Sequence, residues 1–339
     1  MSAIPIVAEK SKSSRVLLIL SFPLAALFLY LAFRKVDWRQ VWAAISHCRP
    51  QFIAASMAVS ATSYFLRGLR WRVLLNTQEK LPVMPVFWAN CACYFGNNVL
   101  PARAGELIRT AMVSSRSQLS KMFVLTTALS ERVMDLIVLV TSGTVVIRFV
   151  QNKPGWLAKI SGPLLGLAIA AAILLISVPL FEKPAERLLA KMHLPERAVT
   201  RLDHTIEHIA SGVRAFHDPS TFAVFFALTI CIWGCDAYAA KILAPALGLH
   251  LSFATALLLL VGLGLGSALP STPGYIGIYQ FVAVTVLMPF HFTRADAIAY
   301  ILVAQAGGLV VTGVLGSIGL LQYRNLAKAH DSRSTASRV

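Results

Sequence analysis

Asn97-Asn98-Val99-Leu100-Pro101-Ala102-Arg103-Ala104-Gly105-Glu106-Leu107-Ile108-Arg109 is a polar stretch, broken by proline and glycine, inside an otherwise apolar chain. Two asparagines, two arginines and a glutamate cannot lie in lipid alone. Irregular backbone at membrane depth persists only where protein or a water-filled cavity satisfies its polar groups. The stretch therefore predicts a membrane protein whose helices fold around a break. A second break, Leu269-Pro270-Ser271-Thr272-Pro273-Gly274-Tyr275-Ile276-Gly277, occupies the corresponding place in the second half. Paired interruptions of this kind point to a binding site between two halves.

Composition agrees with that reading. The 339 residues are 57% hydrophobic and only 14% charged, with mean hydropathy +0.68, whereas soluble domains carry about 25% charged residues. The formal net charge is +16, but the basic residues are spread through loops and form no single face. Membrane orientation and anionic lipid account for that distribution, and no nucleic-acid partner is expected. Cys48, Cys91, Cys93, Cys231 and Cys235 lie mostly in apolar runs and read as small core residues. No catalytic constellation, metal cluster or cofactor motif is read. His204-Thr205-Ile206-Glu207-His208 matches a zinc-peptidase pattern, but it falls on a basic, solvated linker helix with no pocket in view.

Apolar segments run over 16–33, 52–75, 83–113, 119–150, 160–181, 219–243, 251–290 and 296–321. The two broken ones, 83–113 and 251–290, are expected to be re-entrant or broken helical hairpins. About six full spans of about 20 residues then remain. The fold class is an all-α polytopic membrane protein, and the order span, span, hairpin, span, twice over, predicts an inverted repeat. Its expected divisions are a cytoplasmic N-terminus over 1–15, a first membrane half over 16–150, one span plus an amphipathic linker broken near Pro195 over 151–218, the rest of the second half over 219–323 and a disordered tail over 324–339. Val16 to Phe33 reads as an uncleaved first span, because no small-residue cleavage site follows it. Lysines and arginines number 19 in the proposed cytoplasmic segments against seven in the outer loops, so both termini are expected in the cytoplasm. The 34–50 loop is basic on the wrong side, and with Trp38 and Trp42 four apart it reads as a short interfacial helix or a misplaced span.

Four blocks, Arg67-Gly68-Leu69-Arg70-Trp71, the Asn98-to-Arg109 segment, Glu131-Arg132-Val133-Met134-Asp135 and Pro273-Gly274-Tyr275-Ile276-Gly277, resemble the flippase-like transmembrane domain of the lysylphosphatidylglycerol synthetase/flippase family. The resemblance covers roughly residues 15 to 325. It implies a multi-pass inner-membrane protein that moves or handles lipids. Where that pattern is expected to carry an acidic residue after the Pro-Gly block, this sequence has Gln280, which cannot titrate. Unlike in that pattern, no soluble aminoacyl-transfer domain is expected within these residues after the membrane part.

The candidate lipid-binding residues are Arg67, Arg70, Asn98, Arg103, Glu106, Arg109, Glu131, Arg132, Asp135, Pro273, Gly274, Gly277 and Gln280. Glu106 and Arg109 share a helix face if a helix starts after Gly105, and Glu131 and Asp135 share one in the next span. Such charges must be paired or face water, so they form either a structural ion-pair cluster or a working site. Arg67 and Arg70 suit interfacial anchoring or a lipid phosphate. Arg103, in the broken loop beside freed N–H groups, suits an anion. Asp236 is expected to pair with Lys241 or to bond a neighbouring span, and Tyr275, Tyr279 and Gln280 to line a cavity. Two functions follow: a translocator of an anionic phospholipid, glycolipid or polyprenyl-linked lipid, or a membrane enzyme using Glu131 and Asp135 on a lipid head group. The partners expected are an anionic membrane lipid, and a second copy of the chain or a lipid-modifying enzyme.

Overall fold

The computed structural model describes residues 12–100, 104–149, 155–184, 196–269 and 272–336, and among these every regular element is helical. The first half contains α1 (Lys12–Phe33), α2 (Trp38–Ser46), α3 (Pro50–Leu75), α4 (Val83–Val99), α5 (Gly105–Ser114) and α6 (Lys121–Phe149). The second contains α7 (Gly155–Ser177), α8 (Glu196–Arg214), α9 (Pro219–Leu243), α10 (Phe253–Ala268), α11 (Ile278–Leu287) and α12 (Arg294–Ala336). Helices satisfy their own backbone groups, which is what a chain crossing hydrocarbon requires.

Five stretches, Pro50–Leu75, Ser161–Pro184, Pro219–Leu247, Pro273–Phe290 and Arg294–Arg324, are long and apolar enough to cross a membrane. Helix α6 is too charged to join them, because Glu131, Arg132 and Asp135 interrupt its apolar sequence. Its 29 residues nevertheless extend roughly 43 Å at 1.5 Å per residue, more than a bilayer core. This is an all-α polytopic membrane protein.

Both broken segments fold back on themselves. A Cβ on Gly96 would stand 2.8 Å from Ile108 Cδ1 and 3.0 Å from Gly105 Cα, so α5 returns along α4. Likewise Gly266 faces Ile278 and Gly262 faces Val282, which lays α11 antiparallel to α10. Packing between the halves repeats under their exchange. Helix α3 runs along α9, α4 lies on α12, and α10 lies on α6. Each half thus lends the first limb of its hairpin to the last helix of the other.

Small residues allow that exchange. A Cβ on Gly319 would stand 2.6 Å from the Trp88 carbonyl oxygen, and Gly316 meets Phe95 and the Cys91 carbonyl. On the other seam Gly264 meets Leu139 and Gly143 meets Val261. In lipid, where burial of apolar surface drives little association, such backbone contact is the main source of helix attraction.

The basic 34–50 loop forms α2, whose first turn is capped by the Asp37 carboxylate accepting from the N–H groups of Arg39 and Gln40 at 2.9 and 3.4 Å. Val41 is buried while Trp38 and Trp42 are exposed, as an interfacial helix requires. In the linker, α8 packs on α6, with Gly212 against Thr126 and Thr127. The expected break near Pro195 lies outside the described residues, as does the N-terminus before Lys12. One expectation is corrected. The tail from 324, expected to be disordered, continues α12 as helix to Ala336, since neither proline nor glycine stops it there.

Candidate functional site

Three helices of the first half and one of the second bring their charges to one place. Helix α3 contributes Arg67 and Arg70, α5 contributes Glu106 and Arg109, α6 contributes Glu131, Arg132 and Asp135, and α9 contributes Asp236. The spacings of three and four that put these residues on common faces in the sequence hold in the structure, and Glu106 and Arg109 meet at 2.6 Å. That contact is close in charge but poorly aligned, for Glu106 Oε2 accepts no well-directed hydrogen bond.

All the pairs except Arg67–Asp236 share members and form a continuous chain. Arg132 donates from Nε and Nη2 to Glu106 Oε1 at 3.1 and 2.9 Å. Arg109 Nη1 donates to Glu131 Oε2 at 2.9 Å and to Asn90 Oδ1 at 3.1 Å, with its guanidinium 4.6 Å from the Trp71 ring centroid. Glu131 Oε1 accepts from Arg70 Nε and Nη2 at 3.1 and 2.8 Å. The same Arg70 forks onto both oxygens of Asp135 at 2.5 and 2.9 Å and donates to Thr229 Oγ1 at 3.0 Å. Trp233 Nε1 donates to Asp135 Oδ1 at 3.2 Å, and Arg67 pairs with Asp236. Among the described residues four cations face four carboxylates, so the charges of the cluster balance. That balance is what lets Arg70 and Arg109 be wholly buried, because an uncompensated charge there would be expelled or would unfold its surroundings.

Beside this cluster, between the halves, lies a cavity of about 1210 Å³. Of the residues proposed from sequence, Arg67, Asn98, Arg132, Asp135, Pro273, Gly274 and Gln280 are on its wall. Arg70, Glu106, Arg109 and Glu131 are not, and stand behind it in ion pairs with one another and with Arg132 and Asp135; Gly277, packed against Ala25, is not on it either. Arg103 lies outside the described residues, as do Pro101 and Pro270. Tyr275, Tyr279 and Gln280 line the cavity as expected, and the two tyrosine rings stack at 4.8 Å. Tyr64, Tyr94, Trp233 and Gln305 also line it. Sequence reading passed over them because aromatic residues in an apolar span are ordinary core, and only Tyr94, four residues before Asn98, carried a positional signal.

The two breaks meet at this cavity. A Cβ on Gly274 would lie 3.9 Å from the Asn98 carbonyl oxygen, and Asn98 Nδ2 donates to Thr312 Oγ1 of α12 at 2.8 Å. The first break does not leave its helix start open to an anion at Gly105, because that N–H donates to Asn97 Oδ1 at 3.0 Å. In the second break Gln280 Oε1 accepts from Gly277 N–H at 2.7 Å, Gln280 Nε2 donates to Gln305 Oε1 at 2.5 Å, and Gln305 Nε2 donates to the Gly274 carbonyl at 3.0 Å. Gln280 therefore caps α11 and ties the break to α12, using the acceptor and the donor that only an amide offers together. Gly277, at φ +91° and with Ala25 O only 2.5 Å from a would-be Cβ, admits no side chain. Of the two partners expected for Asp236, the neighbouring span supplies the one found, Arg67 on α3, and Lys241 does not, because five residues along a helix do not share a face.

Helices crossing a membrane, two internal hairpins and a largely apolar cavity with charged residues on its wall, lying between the two halves, define a polytopic membrane protein built around a central site. The chain matches the family described as Lysylphosphatidylglycerol synthase TM region over residues 17–316, and it belongs to that family. It is also similar to the "Glycosyltransferase AglD" of Haloferax volcanii, 24% identical over 92% of this chain and 55% of that protein. A "UPF0104 membrane protein" of Methanothermobacter thermautotrophicus is 21% identical over 92% of this chain and 95% of its own length. The chain thus spans about half the length of the first of these relatives and nearly all of the second.

Proposed function

We propose that the protein is a lipid translocator of the cell inner membrane, with both termini in the cytoplasm, that carries an anionic lipid head group through the central cavity while the acyl or polyprenyl chains stay in the bilayer. The observation that carries this reading is the cavity itself. Arg67 and Arg132 stand on its wall, apolar side chains such as Leu136, Leu139 and Leu263 complete it, and both helical breaks border it. Fixed guanidinium groups recognise phosphate through paired N–H donors. Two repeated halves meeting at broken helices are the arrangement in which rocking exposes one site to either side.

A second reading has one observation in its favour, the glycosyltransferase name of the Haloferax relative, which makes a membrane enzyme modifying a lipid head group the alternative. Among the described residues the acids on the cavity wall are Asp135 and Asp236, and arginines engage both. Purified protein in liposomes separates the two readings. A fluorescent phosphatidylglycerol that becomes accessible from the opposite leaflet without change of mass supports translocation. A lipid product of altered mass, with no exchange between leaflets, overturns it in favour of the enzyme.

A further inference from the structure

The ion pairs of the cluster are not equivalent. Arg70 and Arg109 have no exposed side-chain surface, and Glu131 between them is 2% exposed. Arg132 is 30% exposed, but its partner Glu106 stands behind the cavity wall and also serves Arg109. Arg67–Asp236 differs in two respects. Both of its members are on the cavity wall, at 8% and 19% exposure, and among the described residues it is the ion pair that joins the first half to the second. Arg67 and Arg132 are held near one another by Tyr94, whose ring centroid lies 5.6 Å from one guanidinium carbon and 5.1 Å from the other. Arg67 also donates to the Tyr94 hydroxyl at 3.3 Å and stacks on Trp233 at 5.1 Å. Two cations thus flank one ring in the cavity wall, and the carboxylate opposing one of them belongs to the other half of the protein.

We infer that Asp236 is the resident counter-ion of a phosphate site built on Arg67 and Arg132, and that an anionic head group enters by taking the place of Asp236 on Arg67. The inference rests on the translocator reading and adds to it an internal competitor. A guanidinium presents a planar fork of donors that fits either a carboxylate or a phosphate, and Tyr94 and Trp233 hold that fork in place during the exchange. Pairing of Arg67 with Asp236 and with phosphate exclude one another. Head-group binding therefore removes the ionic tie between α3 and α9 and favours separation of the halves, in the sense in which any ligand favours the state that binds it better.

The test is binding of dioctanoyl phosphatidylglycerol to purified full-length protein, measured by titration of tryptophan fluorescence, with inorganic phosphate as a parallel arm. Asp236→Asn frees Arg67 and is expected to tighten lipid binding at least about fivefold, a coupling within the usual range for contacting charges. Arg67→Gln is expected to lose binding, and Arg67→Gln with Asp236→Asn, which leaves neither charge unpaired, to fold as the wild type and remain without binding. Tightening for the lipid alone assigns the site to a lipid-borne phosphodiester; tightening for inorganic phosphate as well assigns it to phosphate as such. Equal or weaker binding in a folded Asp236→Asn variant, alongside wild-type protein that binds and translocates, overturns the counter-ion role and leaves the translocator reading standing. Wild-type protein that binds neither probe overturns both.

Discussion

Glu131 is the joint of the buried network, since its two oxygens hold Arg70 and Arg109, neither of which reaches solvent. Replacing it by glutamine leaves the four cations facing three carboxylates. Removing one partner of a buried pair costs about 3–5 kcal/mol. Here the lower end applies, because the glutamine oxygen still accepts from one arginine, Asp135 still holds Arg70 and Glu106 still holds Arg109. A loss of about 3 kcal/mol is thus expected for Glu131→Gln, a large share of a typical folding stability. The double variant Glu131→Gln with Arg109→Gln restores neutrality and leaves Arg70–Asp135 and Arg132–Glu106 intact. It is expected to recover about 1–2 kcal/mol of the loss, within the range measured for residues sharing a network. Thermal unfolding in detergent, followed by tryptophan fluorescence, measures both, and membrane yield provides a second readout. A Glu131→Gln protein that unfolds at the wild-type temperature refutes the reasoning, and so does a double variant less stable than either single. If Glu131→Gln instead folds normally and moves no lipid, its charge works in the transport cycle and not in the scaffold.

Other outcomes follow from individual contacts. Gly319→Ala should force α12 off α4 and lower the unfolding midpoint, at a cost of about 1–3 kcal/mol, while Gly313→Ala, with open space around it, should leave the midpoint unchanged. Gln280→Ala should strand the Gly277 N–H at a cost of about 1–3 kcal/mol and speed hydrogen exchange there, whereas Gln280→Glu, which keeps the acceptor, should do less. With the five native cysteines replaced by alanine, Ser46→Cys and Thr77→Cys should react with impermeant maleimide from opposite sides of the membrane; labelling from one side sinks the topology. Asp218 accepts from Ser220 Oγ and Thr221 N at the start of α9, and the Ser220 hydroxyl first, then Thr221, hold its carboxyl down at about 2. A depressed folded value stabilises above the unfolded one, near 3.9 for aspartate. Asp218→Ala should therefore cost the same at pH 5 and pH 8, and the difference should fade only as pH drops toward 2.

Much of this architecture was present in the order of residues. Hydropathy located the membrane helices to within about five positions, except the far end of α12, because each must present about 20 apolar residues to lipid whatever its neighbours do. Proline and glycine marked both breaks, and charges three and four apart announced which residues share a face. Partners were another matter. That Arg67 meets Asp236, that Glu131 bridges Arg70 and Arg109, and that Asn97 closes the first helix start were settled only when α3, α5, α6 and α9 came together. A carboxylate in an apolar span announces that it needs a cation without saying which, since every arginine in the chain satisfies the same local rule. The same limit applies to access. Arg67 and Arg70 look alike in sequence, one helical turn apart, yet one faces the cavity and the other is walled in, because that difference is made by the packing of other helices and not by anything within their own.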